Sequence, residues 1–308
     1  MAVGRMMEEN KKLNYIEIGM LPKKEKILVG IPTKNRPEYL SILLSSLLYQ
    51  TEQAFDVLIA DSGDREFTRY GEAPLERFIS TLEALGHRVI YVPVPVAGNS
   101  EVAAVNFLLT EAVFQGYRYL YKTDDDHVLQ PDLLERLSSV YPRLETLNGG
   151  PVLVSAITPF MHRVAHGFSG PDDNPYLGAL PADVPLTKII QDGDEVKIEI
   201  GHFTRFLEDC GLVVSDLASN ANFLMKPDSR ILWEDIGHSS MNADAVWMVQ
   251  IKALFGYKFY FDTGCNSWHV TAPSGGVRDV PGIYDKSTDW DERRRQHFAH
   301  IVRQYTKK

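Results

Sequence analysis

Cysteine and long apolar runs are scarce in this chain. Its 308 residues include two cysteines, Cys210 and Cys265, which are too few and too far apart for a disulfide framework or a cysteine zinc site. No stretch reaches the roughly eighteen uncharged apolar residues that a membrane helix requires, and residues 1–26 lack the apolar segment of a signal peptide. We therefore expect a soluble protein of the reducing cytoplasm, without a transmembrane segment.

An excess of positive charge is absent as well. The formal net charge is −9 at pH 7, whereas the phosphate backbone of nucleic acids attracts basic surfaces, so general nucleic-acid binding is not expected. The first predicted strand is followed neither by the G-x-G-x-x-G of a dinucleotide site nor by the G-x-x-x-x-G-K of a P-loop. A nucleotide site in this chain must therefore use other residues.

Short apolar runs and segments of helical periodicity alternate through the first half of the chain. The predicted strands are 26–31, 55–60, 88–92, 117–121 and 152–157, with helices from Pro37 and over 75–85 and 99–115 between them. This alternation predicts an α/β fold with a Rossmann-like, mainly parallel sheet, helices on both faces, and ligands at the carboxyl ends of the strands.

The second half is less regular. A stretch rich in Pro, Gly and Asp, 168–185, interrupts the pattern, and the predicted elements are strands 196–200, 222–225 and 257–261 and helices 247–255 and 289–305. We expect an N-terminal extension over 1–25, one domain over 26–285 with halves 26–160 and 161–285, and a C-terminal helix over 286–308.

Three consecutive aspartates, Asp124, Asp125 and Asp126, follow the predicted strand 117–121. Adjacent carboxylates repel one another and a buried unpaired charge is costly, so the cluster indicates a bound cation, most simply a divalent metal ion. Because side chains alternate along a strand, Asp124 and Asp126 are predicted to share one side, in the D-x-D spacing that suits an oxygen-loving ion. The alternative is a solvated acidic turn before a helix that begins near Pro131.

Two further polar loops end predicted strands. They are residues 33–36 (TKNR) and residues 61–64 (DSGD). Because the carboxyl ends of parallel strands share one edge of a sheet, these loops and the three aspartates are predicted to converge on one crevice.

Taken together, residues 29–37 (VGIPTKNRP), 58–64 (LIADSGD) and 119–126 (YLYKTDDD) resemble the GT-A fold glycosyltransferases, especially the family-2-like group. The resemblance covers roughly the first 160 residues. It implies that 26–160 is a nucleotide-binding half and 161–285 an acceptor-side half. It also implies a nucleoside diphosphate sugar donor, UDP- or GDP-linked, an unidentified hydroxyl acceptor, and Mn²⁺ or Mg²⁺ as cofactor.

The resemblance assigns roles to individual residues. The nucleotide is expected to contact Pro32, Thr33, Asn35, Arg36, Asp61, Asp124 and Asp125, and the metal ion to be held by Asp124, Asp126 and His269. A hard divalent cation in such a site stabilises the charge of the departing diphosphate. The local alternatives are that Arg36 caps the next helix and that Asp61 belongs to a plain turn.

Two later segments extend the resemblance. Residues 242–247 (NADAVW) are similar to the segment in which inverting members carry the catalytic base, which is Asp244 here, with Ala243 in place of a glutamate. Asp244 would deprotonate the acceptor hydroxyl, or instead cap a helix. His269 would complete the metal shell, with loop 271–279 folding over the donor through Gly275 and Gly276, or instead be a core histidine.

Other features leave alternatives open. Val105 stands where related proteins often carry Arg before Asn106, and Trp233 and Trp268 can stack on a sugar or pack in the core. His127 receives no role. The competing functions are a metal-dependent nucleotidyltransferase or diphosphate hydrolase, and a non-catalytic sugar-nucleotide-binding protein. The sequence favours inversion over retention and allows a homo-oligomer.

Overall fold

The computed structural model describes residues 24–63, 73–94, 100–158, 187–192, 195–200, 205–207, 212–215, 219, 221–233 and 243–270. The strands are β1 (Lys24–Thr33), β2 (Phe55–Asp61), β3 (Val89–Pro93), β4 (Tyr117–Thr123), β5 (His127–Leu129), β6 (Val152–Ile157), β7 (Thr187–Asp192), β8 (Glu195–Ile200), β9 (Arg205–Leu207), β10 (Leu212–Ser215), β11 (Asn222–Met225) and β12 (Lys258–His269). The helices are α1 (Pro37–Leu47), α2 (Ala73–Ala84), α3 (Ser100–Phe114), α4 (Leu133–Asn148) and α5 (Ala243–Phe255).

Several expectations fall outside these ranges. They are the extension before residue 24, the loop 271–279 and the C-terminal helix 286–308.

Nine of the described strands form one continuous sheet in the order β3-β2-β1-β4-β11-β6-β12-β10-β9, and β5 joins it through β12. The pairs β3-β2, β2-β1 and β1-β4 are parallel, so the predicted α/β fold is confirmed. The other half of the sheet is mixed, because β11 runs antiparallel to both β4 and β6 while β12 runs parallel to β6. β7 and β8 form a separate antiparallel pair.

The sheet is covered on both faces, as the continuous apolar strands require. Along β1, β2 and β4 one set of alternate residues, such as Val29 and Tyr121, packs against α1, α2 and α4. The other set, such as Leu28 and Leu120, packs against α3 and α5. Two separate apolar cores result, and the sheet between them carries the functional edge.

Helix α3 lies unusually close to the sheet at Gly30. A Cβ atom at this position would lie 3.0 Å from Leu120 Cδ1 and 3.2 Å from both methyl groups of Leu108. Glycine at this position therefore allows the helix to pack tightly against β1 and β4.

Strand β12 is longer than the predicted strand 257–261 because it uses two partners in turn. It pairs with β6 up to Asp262, its register then shifts before Asn266, and its last residues, Ser267 to His269, pair with β5. Gln130 holds the second half, since its side-chain oxygen accepts hydrogen bonds from Asn266 N and Nδ2 at 3.1 and 3.0 Å. The register shift carries the end of β12 to the carboxyl end of β4.

Candidate active site

The carboxyl ends of β1, β2 and β4 meet at one edge of the sheet. Thr33 and Asp61 are register partners across β1 and β2, and the Thr33 hydroxyl donates a 2.6 Å hydrogen bond to Asp125 Oδ2. The predicted convergence of the three polar loops is therefore confirmed for the residues that the structure describes.

Arg36 links the first loop to the aspartates. Its Nη1 lies 3.0 Å from Asp126 Oδ2 and its Nε 3.2 Å from Asp125 Oδ2, while Nη2 also contacts Asp125 Oδ1. Burial opposes the charge on Arg36, but the carboxylates of Asp125 and Asp126 outweigh burial and raise the pKa of the guanidinium. Arg36 occupies the N-cap position of α1, yet its side chain makes no capping hydrogen bond. The capping alternative is therefore wrong for the side chain.

The first loop bends sharply before α1. Asn35 has a φ of 56°, in the left-handed region that Asn tolerates better than most residues. Pro37 then opens the helix, as the sequence predicts, and Pro32 lies within β1 opposite Ala60.

The predicted alternation of the aspartates is wrong. Residues 125 and 126 form a turn rather than a continued strand, and both contact Arg36, whereas the Asp124 carboxylate pairs with the fully buried Lys122. The strand ends at Thr123, although Asp124 N still donates a 2.8 Å hydrogen bond to Ala221 O in the register that pairs β4 with β11. Asp125 and Asp126 thus share a partner, and Asp124 has a different one.

Asp126, His127 and His269 form a group whose ligand atoms all lie within 4.8 Å of one another. Asp126 Oδ2 is 3.2 Å from His269 Nε2, and Asp126 Oδ1 is 4.0 Å from His127 Nε2. Neither Asp126 Oδ1 nor His127 Nε2 has a hydrogen-bond partner among the described residues, although both atoms are buried. Carboxylate and imidazole atoms left in this arrangement fit a divalent metal ion.

The electrostatics of the cluster keep Asp126 ionised and His127 neutral. Burial raises the pKa of Asp126, but hydrogen bonding with His269 and the positive charge of Arg36 outweigh burial and lower the pKa. Burial lowers the pKa of His127 to about 4, against the attraction of Asp126. Burial raises the pKa of Asp125, although Arg36 favours its carboxylate form. A carboxylate beside a neutral imidazole is the pair that a metal ion accepts.

His127 is the site residue that sequence reasoning missed. Its position next to Asp126 gives no sign of its role, which depends on β5 pairing with β12 so that His127 lies opposite His269. Its Nδ1 lies 2.7 Å from the Ser267 hydroxyl, 140 positions further along the chain.

Asp61 is held at the tip of β2. Its Oδ1 accepts a 2.8 Å hydrogen bond from Gly63 N, and its Oδ2 accepts one from the Tyr91 hydroxyl. The side chain is thus oriented by β3 and by its own loop, on the edge where the nucleotide is expected.

The remaining candidates from the sequence are Asp244, two tryptophans and Val105. Asp244 lies in the first turn of α5, and its side chain lies outside the description. Trp233 is 3% exposed and packs against Trp247 with ring centroids 5.4 Å apart, so the packing interpretation is correct for it. Trp268 is 43% exposed. Val105 is fully buried.

Residues 28–164 match the family model described as Glycosyl transferase family 2. This match lies in the segment where the sequence resembles the family-2-like glycosyltransferases of the GT-A fold, and it confirms that resemblance.

A solved structure shares this fold. Mannosyltransferase PcManGT from Pyrobaculum calidifontis, in complex with GDP-Man and Mn²⁺, aligns with a TM-score of 0.52 and 16% identity over 92% of this chain and 67% of that one. TarS from S. aureus aligns with a TM-score of 0.48 and 14% identity over 90% of this chain. This chain spans 40% of the length of TarS. No curated protein sequence matches the chain.

Among the described residues, none of the helices combines the length and the apolar composition needed to span a membrane.

Proposed function

We propose that the protein is a metal-dependent glycosyltransferase that moves a sugar from a nucleoside diphosphate sugar to a hydroxyl acceptor. One observation carries the proposal. Inside the segment that matches family 2, a buried carboxylate oxygen of Asp126 and a buried nitrogen of His127 lie 4.0 Å apart, and neither has a hydrogen-bond partner in the part of the chain that the structure describes. Both lie at the edge where β1, β2 and β4 end. A cation at this position would lie beside the diphosphate of a donor bound across that edge.

The donor half of the site is proposed to use both loops. Pro32, Thr33, Asn35 and Arg36 would line the nucleotide, Asp61 would bind the base or ribose, and Asp124 and Asp125 would lie near the ribose. Asp126 and His269 would hold Mn²⁺ or Mg²⁺, whereas Asp124, whose carboxylate pairs with Lys122, is not assigned to the ion. The bound ion would neutralise charge that develops on the leaving diphosphate. Arg36, already beside Asp125 and Asp126, would add a second positive charge at the same edge.

The acceptor half of the reaction is assigned to Asp244. Its place in the first turn of α5 supports the role only by sequence similarity, with direct in-line attack and inversion as the expected course. Proton NMR of the fresh product reports the anomeric configuration. Inversion is the expected result, and a retained configuration would remove the base role from Asp244.

Turnover of the donor separates this function from its competitors. GDP- and UDP-sugars with Mn²⁺ are the first pairs to test, since PcManGT holds GDP-Man and Mn²⁺. A thermal-shift screen selects the donor, and release of the nucleoside diphosphate is then measured with and without a panel of sugar acceptors. Release that requires an acceptor supports transfer. Release without acceptor indicates a hydrolase, and binding without release in either case indicates a sugar-nucleotide-binding protein.

A further inference from the structure

His127 is fully buried and is directed at the carboxylate of Asp126. Its Nδ1 lies 2.7 Å from the Ser267 hydroxyl oxygen, which can accept a hydrogen bond from the N–H group at that nitrogen. The other nitrogen, Nε2, then carries its lone pair toward Asp126 Oδ1, 4.0 Å away, and it has no hydrogen-bond partner among the described residues. A buried nitrogen of this kind costs free energy unless something binds to it.

The spacing suits an ion shared between the two atoms. Two ligand atoms that each lie about 2.1 Å from one ion are at most about 4.2 Å apart. The 4.0 Å between Asp126 Oδ1 and His127 Nε2 falls inside this limit, and His269 Nε2 lies 3.2 Å from the other carboxylate oxygen of Asp126. Arg36 does not block this position, because it contacts Asp126 through Oδ2.

We propose that His127 is a third protein ligand of the metal ion, and that the chain therefore binds a divalent transition-metal ion before any nucleotide arrives. The inference rests on the proposed function and deepens it. If one carboxylate is the only protein ligand, water and diphosphate must fill most coordination positions of the ion. One carboxylate and two imidazoles bind the ion without help from a substrate. Because imidazole suits transition metals and Mg²⁺ prefers oxygen ligands, Mn²⁺ or Co²⁺ should bind more tightly than Mg²⁺.

Ser267 is then a positioning residue. Its hydroxyl fixes the tautomer and the orientation of the His127 ring, as partners of metal-bound histidines commonly do. The backbone contributes as well, because His127 and His269 are direct register partners and both rings are set by the pairing of β5 with β12.

Metal binding by the full chain without nucleotide tests the proposal. Titration of Mn²⁺, followed by the loss of the free-ion EPR signal, should show one site in the wild type. His127→Ala should weaken it at least tenfold, Ser267→Ala should weaken it less, and Mg²⁺ should compete poorly. His87→Gln is the matched control. His87 is a buried histidine that hydrogen-bonds with Phe55 O, at the end of β2 opposite Asp61. This variant should bind Mn²⁺ as the wild type does.

Pulsed EPR makes the test independent of whether the His127 variant folds. Mn²⁺ bound to the wild type should show coupling to two imidazole nitrogens, and His269→Ala should retain one, which comes from His127. Coupling to a single nitrogen that disappears in His269→Ala would overturn the proposal.

The outcomes also separate this inference from the proposed function. If Mn²⁺ binds only after GDP or UDP is added and His127→Ala behaves as the wild type, the third ligand is refuted while a metal-dependent transferase stands. If Mn²⁺ binds neither alone nor with nucleotide, both proposals fail.

Discussion

Arg36 stabilises a concentration of negative charge that the fold would otherwise leave uncompensated. Asp125 is completely buried and Asp126 nearly so, and the planar guanidinium bonds to both carboxylates. A fork of this shape is specific to arginine, because lysine offers a single point charge. The residue that the sequence assigns to the nucleotide therefore also has a structural role.

Replacement of Arg36 should reveal this role. Arg36→Ala leaves two buried carboxylates without their main partner, so we expect the free energy of unfolding to fall by about 3 to 5 kcal/mol. Mn²⁺ should restore part of the loss, because a bound cation replaces the missing charge. Urea unfolding with and without Mn²⁺ measures both effects. The control is Arg118→Ala, since the ion pair of Arg118 with Glu25 is exposed on both sides and should contribute less than about 1 kcal/mol.

Asp126 should be required for metal-dependent stabilisation. It is the carboxylate of the Asp126, His127 and His269 group, so Asp126→Ala should abolish the Mn²⁺-dependent part of the thermal shift. Differential scanning fluorimetry with increasing Mn²⁺ measures the shift. Asp228→Ala removes a carboxylate that pairs with Arg230 outside the group and should leave the shift intact. An unchanged shift in Asp126→Ala would contradict the assigned metal site.

At the level of single residues, the sequence predicts which residues belong to the site better than it predicts which residues contact one another. Asp126 and His269 were predicted as metal ligands, and the structure brings them within 3.2 Å. The contacts of Arg36 with Asp126 and of His127 with Ser267 span 90 and 140 positions. Such contacts depend on which strands pair, and no local pattern encodes that choice. The predicted D-x-D alternation was wrong for a different reason, because it extended the geometry of a strand into residues that form a turn.

Among the structural elements, β12 decides the shape of the site. Its register shift is held from α4, where Arg136 pairs with Asp262 at 2.9 Å, and from Gln130, which bonds to Asn266 and to Gly264 O. Beyond the shift the strand pairs with β6 once more at Asn266, and its last three residues pair with β5. Residues that touch no substrate thus position His269.

Loss of the Gln130 side chain should loosen this arrangement. Gln130→Ala removes the acceptor of Asn266 N, so we expect a loss of about 1 to 3 kcal/mol in the free energy of unfolding. We also expect weaker Mn²⁺ binding, although no metal ligand changes. Urea unfolding and Mn²⁺ titration measure the two effects. Gln115→Ala is the control. It removes the side-chain amide of a residue between α3 and β4, and it should not affect Mn²⁺ binding.

Elements with strong local patterns were predicted well. The alternation of apolar runs and helical stripes predicted strands β1 to β4 and β6 within a few residues, because all of them except β3 are mostly buried on both faces and have largely apolar sequences. The two strands that carry the histidines were harder to predict. The short strand β5 has three residues, and β12 crosses from one partner to another, so neither carries a periodicity that distinguishes it from a loop.

Over the whole molecule, the two edges of the sheet have different roles. The carboxyl edge carries the candidate metal-binding group of Asp126, His127 and His269. Toward the amino edge, the buried Asp56 accepts hydrogen bonds from Lys26 Nζ, the Tyr117 hydroxyl and Arg88 N, at 2.8, 2.8 and 3.1 Å. These partners come from β1, from β4 and from the residue before β3, so a single carboxylate ties four strands together.

The stability of the protein should depend on pH through Asp56. Burial raises the pKa of this carboxyl group, but hydrogen bonds from Lys26, Tyr117 and Arg88 outweigh burial and lower it. A lowered pKa stabilises the fold above the unfolded value of about 3.9, and this stabilisation is lost as pH falls through the folded value.

Asp56→Asn should therefore be less stable by about 1 to 3 kcal/mol at pH 7, and its difference from the wild type should shrink below about pH 4. Urea unfolding between pH 7 and pH 3 measures it. Glu145→Gln, which removes an exposed ion pair with Lys226, should change little at any pH. A difference from the wild type that stays constant down to pH 3 would contradict the role of Asp56.

The direct pairing of His127 with His269 limits how the chain can change in length. One extra residue in the turn at 124–126 would move every later side chain of β5 by one place, so that Val128 and His127 exchange faces of the ribbon. The two imidazoles would then point to opposite sides. Lengthening the surface connection near Gly149 disturbs no such pairing. Natural or engineered insertions should therefore be tolerated there and excluded between Thr123 and His127.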